Sequence, residues 1–96
     1  MVEIRKTEMF TKWLDGLRDI RVRARILVRI ERLARGNPGD VKPVGAGVSE
    51  LRIKYGPGYR VYYTKQGAKV LILLAGGSKR TQSKDIKIAL SLAENL

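Results

Sequence analysis

From Leu51 to Tyr63 the chain reads LRIKYGPGYRVYY, with apolar and polar residues alternating on both sides of a Gly-Pro-Gly interruption. Alternation with period two is the signature of half-covered strands, and the interruption joins them as a hairpin. Extended geometry places Arg52 and Lys54 on one face with Arg60 and Tyr62 beside them across the hairpin. Leu51, Ile53, Tyr59, Val61 and Tyr63 then form the apolar face over a core, so the cations are expected to be presented rather than buried. Gly56-Pro57-Gly58 suits a type II turn, with Pro57 and Gly58 as its central residues.

The rest of the chain divides by the same criterion. Val2 to Arg5 alternates and predicts a short strand. Thr7 is placed as a helix N-cap, with Glu8 favourable in the first turn and Phe10, Trp13, Leu14 and Leu17 at helical spacing, so a helix is expected over Glu8 to Leu17. Asp19 is the next cap. Val22, Ile26, Ile30 and Leu33 form a stripe ending near Gly36-Asn37-Pro38-Gly39, which predicts a second helix. At about 100° per residue, Arg21, Arg25, Arg29 and Arg32 fall within about 80° of one another, a ridge that Arg18 and Arg35 would extend. This ridge reads as a solvated or protein-docking face, since nothing arranges it around a reacting atom.

Gly36 to Ser49 reads as a loop with a short extended piece near Val41 to Val44, and strands resume at Glu50. Gln66-Gly67 marks a reversal. Lys69 to Ala75 is apolar on both faces and predicts an interior strand covered on both sides. Gly76-Gly77 is expected to end it, after which Thr81 or Ser83 caps a helix carrying Ile86, Ala89, Leu90 and Ala93. The expected order is β-α-α-β-β-β-α, an α+β fold with a mostly antiparallel sheet packed against helices. With 96 residues, 44% of them hydrophobic, one domain over residues 1–96 is expected.

Charge narrows the function. Twenty Lys and Arg against nine Asp and Glu leave a net +11, for which nucleic acid is the leading partner; a membrane surface or an acidic protein shares the sign requirement. No run approaches a membrane span and no apolar signal core opens the chain, so a cytoplasmic protein is expected. The absence of Cys and His excludes disulfides, thiol nucleophiles, Ser-His triads and zincin motifs. The acids show no paired spacing for two metal ions, and no metal or other cofactor is expected. Gly76 to Thr81, GGSKRT, lacks the spacing of a phosphate-binding loop.

Arg, Lys and Tyr on a sheet suit RNA cleavage, because RNA carries its own nucleophile. A 2′-OH aligned with its phosphate needs a protein to hold the phosphate, stabilise developing charge and manage the proton. A Lys crowded by cations is a candidate base, and Tyr62 is placed to orient, donate or stack on a base. Phosphate binding without chemistry is equally compatible with these residues.

ELRIKYGPGYRVYY at Glu50 to Tyr63 and LILLAGGSKRTQSKDIKIALSLA at Leu71 to Ala93 resemble the RelE/ParE superfamily of toxins, specifically its HigB-like, phage-derived addiction-module killer proteins. The resemblance spans essentially the whole chain and implies a small RelE-like fold. It implies a type II toxin, a metal-independent mRNA interferase that cuts mRNA in the ribosomal A site. Its partners would be the ribosome with mRNA and a cognate antitoxin of helix-turn-helix type. Carried over by matching residues, Arg60 in YRVYY is the first candidate for phosphate stabilisation, Arg52 and Lys79 follow as catalytic candidates, and Lys54, Tyr62 and Arg80 as RNA-binding ones. Related toxins often use a His or a C-terminal Tyr for proton transfer; this chain has neither in its last helix, so the resemblance assigns no general acid or base. The ParE branch, which inhibits DNA gyrase, tends to lack the basic sheet cluster. A non-catalytic RNA- or ribosome-binding module is the other alternative.

Overall fold

A computed structural model describes residues 2–96. Its elements run β1 (Glu3–Lys6), α1 (Glu8–Asp15), α2 (Ile20–Ala34), β2 (Val41–Gly45), β3 (Val48–Ile53), β4 (Tyr59–Gln66), β5 (Val70–Ser78), a 3-10 turn (Lys79–Thr81) and α3 (Gln82–Glu94). The five strands form one sheet in the order β1-β5-β4-β3-β2, antiparallel except for the parallel β1–β5 pair. This is an α+β fold. It has one strand more than the pattern implied: Val41 to Gly45 pairs with β3 despite Pro43, because an edge strand needs only one side of its backbone bonded.

The sheet is covered on both faces. Phe10 and Leu14 of α1 and Val22, Ile26, Ile30 and Leu33 of α2 pack on Leu51, Ile53, Val61, Tyr63, Leu71 and Leu73. On the opposite face, Ala89 of α3, with Ile86, Leu90 and Ala93 beside it, packs on Val48, Tyr62, Ile72, Leu74 and Ala75. Each fully buried apolar side chain of this kind contributes roughly 1.5–3 kcal/mol. The apolar stripes of the helices and the two-sided hydrophobicity of β5 thus have the role their spacing predicts.

The Thr7 and Asp19 caps form, whereas α3 begins after Thr81 without a side-chain cap bond, the Thr81 hydroxyl donating to Asp85 instead. The Thr7 hydroxyl oxygen accepts from the Phe10 N–H at 3.1 Å and its O–H donates to the Leu74 carbonyl at 2.6 Å, so one side chain starts α1 and fastens it to β5. Asp19 accepts from the Arg21 N–H at 2.9 Å. α1 stops at Asp15, short of Leu17, because Gly16 and Leu17 turn their N–H groups onto the Lys12 and Leu14 carbonyls and the chain then leaves the axis.

Two glycine expectations are corrected. Gly76 and Gly77 do not end β5; they lie within it, made necessary by what crosses above them. A Cβ on Gly76 would sit 2.2 Å from the Trp13 ring, and one on Gly77 would sit 1.8 Å from Asp85 Oδ2. The hairpin turn closes one residue earlier than expected: the Gly58 N–H donates to the Tyr55 carbonyl at 3.0 Å, so Gly56 (φ +56°) and Pro57 occupy its centre. Only glycine takes that positive φ ahead of a proline without strain.

A register shift between Tyr62 and Tyr63 places Leu74 as an extra residue on β5, since Tyr63 faces Leu73 while Tyr62 faces Ala75. The bulge flips the remainder of β5 by one position. As a result Gly77, and not Gly76, stands beside Arg60 on the face that α3 covers.

Candidate functional site

Arg52 and Arg60 are direct cross-strand partners at the open end of β3 and β4, and the next pair inward on that face is Glu50 with Tyr62. Two like charges facing each other across antiparallel strands repel. Glu50 resolves the conflict. Its side chain is fully buried, and Oε1 accepts from Arg52 Nε at 3.0 Å while Oε2 lies 3.4 Å from Arg60 Nε. Oε2 also accepts from the Tyr62 hydroxyl at 3.1 Å and from Gln82 Nε2 of α3 at 2.8 Å. Burial pushes the Glu50 carboxyl up, but the hydrogen bonds from Arg52, Gln82 and Tyr62 and the charge of Arg60 outweigh it and leave the group below its ordinary value.

The anchoring is made through the Nε atoms. Each guanidinium has five N–H donors, and among the described residues no protein acceptor is bonded to the Nη groups of Arg52 or Arg60. Arg60 is largely covered and Arg52 one-third exposed at the side chain, so a sheltered fork stands beside a more open one. A planar fork with free Nη pairs matches a phosphate.

Lys79 joins from the end of β5. Its N–H donates to the Gly58 carbonyl at 2.9 Å, and a methyl built on Gly58 would meet Arg60 Nη1 at 3.7 Å and Lys79 Cβ at 3.8 Å. Arg52, Arg60 and Lys79 therefore gather at one end of the sheet, around the turn that ends in Gly58. Arg80, exposed on the 3-10 turn, follows Lys79. Lys54 lies just past the end of β3, largely exposed and 3.8 Å from Asp40 Oδ2, so it stands on the rim rather than in the row of Arg52.

Tyr62 differs from its expected role. It is fully buried beneath α3, and its phenol is pushed upward by burial and by the neighbouring Glu50 carboxylate. A buried phenol donating to Glu50 neither stacks on a base nor releases a proton. The expectation of a wholly presented cationic face is corrected with it: α3 covers the inner half of that face, and only the strand end is open. Glu50, Gln82 and Asp85 did not emerge from motif reasoning. The signal for Glu50 is its place two residues from Arg52 on the same strand face, the one anion in VSELRI. Asp85 accepts from the Thr81 hydroxyl and is pressed over Gly77, the β5 neighbour of Arg60, so it brings a second carboxylate to this row.

The arginine ridge of α2 divides. Arg29 is spent inside the fold, its guanidinium donating to the Arg52 carbonyl, to that of Pro38 at 2.7 Å and to that of Asp40 at 3.4 Å. Arg25 lies 4.3 Å over the Tyr55 ring, Arg35 is the C-cap and pairs with Glu31 at 2.9 Å, and Arg18 falls between the helices. Among the described residues no three His, Cys, Asp or Glu side chains gather to hold a metal ion, and no helix is long and apolar enough to cross a membrane.

An uncharacterized protein of Haemophilus influenzae is 50% identical over 95 residues, covering 99% of this chain and 96% of its own length. The family model described as Phage derived protein Gp49-like matches residues 12–96, which takes in the hairpin, the Gly76-Gly77 stretch of β5 and the final helix. A chain matched over both helical layers and four of its five strands belongs to the Gp49-like family of phage-derived proteins.

Proposed function

We propose that this chain is a toxin of a type II toxin-antitoxin system and acts as a ribosome-dependent, RelE/HigB-like mRNA endonuclease. The observation that carries the reading is the Arg52–Arg60 pair, joined by Lys79 at the same strand end and held by a buried carboxylate through Nε alone. Such forks bind a phosphodiester and stabilise the charge that grows on its non-bridging oxygens. In the reaction, the 2′-oxygen of the preceding ribose bonds to phosphorus as its proton leaves. The bond from phosphorus to the 5′-oxygen breaks, and that oxygen takes up a proton. The products are a 2′,3′-cyclic phosphate and a 5′-hydroxyl. Arg60, the more deeply covered fork, is assigned to the transition state, and Arg52 and Lys79 to holding the strand. Asp85 is the acid–base candidate of the row, because Tyr62 is occupied and buried. Lys54 and Arg80 are assigned to flanking phosphates.

Primer extension on mRNA from cells expressing the chain tests this reading. Cuts at a fixed position within codons are expected, and they should disappear when translation initiation is blocked. Loss of DNA supercoiling without cuts would instead indicate a gyrase inhibitor, and neither effect would indicate a binding module.

A further inference from the structure

Beside this site, and sharing Arg52 and Lys54 with it, an open groove of about 680 Å³ lies between α2 and the end of β3. Its floor is Ala24, Val28, Ile53 and Tyr55, and Arg21, Arg25, Arg29, Arg32, Arg52 and Lys54 supply its charge, opposed among the lining residues by Asp40 alone. Val28 is 47% exposed, an apolar residue with no cover. From Arg21 to Arg32 the α2 wall runs roughly 16 Å at 1.5 Å per residue, about three helical turns.

We infer that this groove docks an acidic amphipathic helix of a partner protein, its apolar side on Val28 and Ile53 and its carboxylates on the arginine rim. Charge complementarity sets the sign of the occupant, and the floor sets its kind. A nucleic-acid strand needs phosphate contacts and open aromatic faces. Here Tyr55 packs against the core and carries the Arg25 guanidinium over its ring, so that ring offers no stacking face. An apolar floor under a cationic rim is instead what an amphipathic helix buries. Because Arg52 lines the groove and also faces Arg60, an occupant would cover one fork of the proposed phosphate site. That regulatory consequence rests on the proposed function, but the docking itself does not.

The test uses the full chain and fluorescence anisotropy with three probes. They are a fifteen-residue Glu/Leu peptide with leucines at helical i, i+3, i+4 spacing, a peptide of the same composition with that spacing scrambled, and a twelve-residue oligouridylate. The patterned peptide is expected to bind at least about tenfold more tightly than the scrambled one. Arg21→Glu and Val28→Asp should each weaken it by about tenfold while leaving oligouridylate binding unchanged. Both positions are exposed, and an acid in the first turn of α2 favours the helix, so circular dichroism should show both variants folded. Equal affinity for the two peptides would reduce the groove to a diffuse field and overturn the inference. So would unchanged peptide binding in both folded variants, or loss of oligouridylate binding in either, which would make the groove an RNA surface. None of these outcomes depends on whether mRNA is cut, so docking and cleavage fail separately.

Discussion

Replacing Glu50 by Gln keeps the shape of the side chain and removes the charge on which four neighbours converge. Tyr62 and Gln82 are neutral donors, and an amide oxygen still receives one of them. The loss therefore falls on the two guanidiniums. Arg52 is one-third exposed and its share is screened by water. Arg60 is largely buried, and its Nε has no hydrogen-bond acceptor beyond this ionic contact, so the substitution would leave a cation facing an amide dipole. Breaking a buried pair by removing one partner costs roughly 3–5 kcal/mol, and the exposure of Arg52 argues for the lower end, about 3 kcal/mol. For a domain of this size each kcal/mol moves the midpoint by about 4–8 °C, so Glu50→Gln should lower Tm at pH 7 by about 12–24 °C. The pH dependence gives the check. The folded state lowers the Glu50 pKa, so its contribution is complete above the ordinary value of 4.5 and is lost as pH falls through the lower folded value. Calorimetric melts should show a wide gap between wild type and variant at pH 7 and a much narrower one near about pH 2.5. Adding Arg60→Met to Glu50→Gln should recover part of the loss, since removing both ions leaves nothing unpaired. A drop under about 4 °C at pH 7, or an equal drop at both pH values, would refute the account of Glu50 as the anion that holds the arginine pair.

Arg60→Ala should reduce codon-positioned cutting by at least about 100-fold with little change in far-ultraviolet dichroism, as expected for one lost transition-state contact; wild-type cutting by the variant would remove Arg60 from the reaction. Association with ribosomes should weaken steeply between low and moderate salt, because several phosphate contacts release counterions, and sedimentation at graded salt measures the slope. Gly76→Ala drives a methyl into the Trp13 ring and should cost about 1–3 kcal/mol, read as a shifted urea midpoint with blunted near-ultraviolet dichroism from Trp13. Thr7→Ala removes a cap and leaves the Leu74 carbonyl one donor short, for about 1–2 kcal/mol by the same titration.

The hairpin, the Thr7 and Asp19 caps, the apolar stripes of the helices and the interior character of β5 could be read in the sequence because each depends on neighbours within one element. Thr7 and Asp19 cap within three residues of themselves, and Leu51, Ile53, Val61 and Tyr63 alternate by backbone geometry alone. What escaped depends on contacts between distant elements. Gly76 and Gly77 look like a strand end until Trp13 and Asp85 are placed above them. Tyr62 looks available until α3 lies over it. The strand pairing of Val41 to Gly45 was hidden by Pro43, which a local reading takes for a loop. In the site, facing positions of Arg52 and Arg60 followed from period two, whereas the burial of Glu50 between them required the helix that brings Gln82. Lys79 was supplied by the family resemblance and not by periodicity, since its place beside Gly58 comes from the β4–β5 pairing.

The order of strands has a consequence for the behaviour of the chain at high concentration. β5, whose VLILLA run would be the segment most inclined to stack into fibrils, has a bonded neighbour on either flank, so its backbone offers no free template. The two rims fall to EIRK and VKPVG, short segments marked by charge in one case and by a proline and an irregular register in the other. Sheets growing by lateral recruitment of further copies must begin at such rims, and these two resist it. Lateral recruitment through β5 is therefore open only in the interval before β1 and β4 have closed on it.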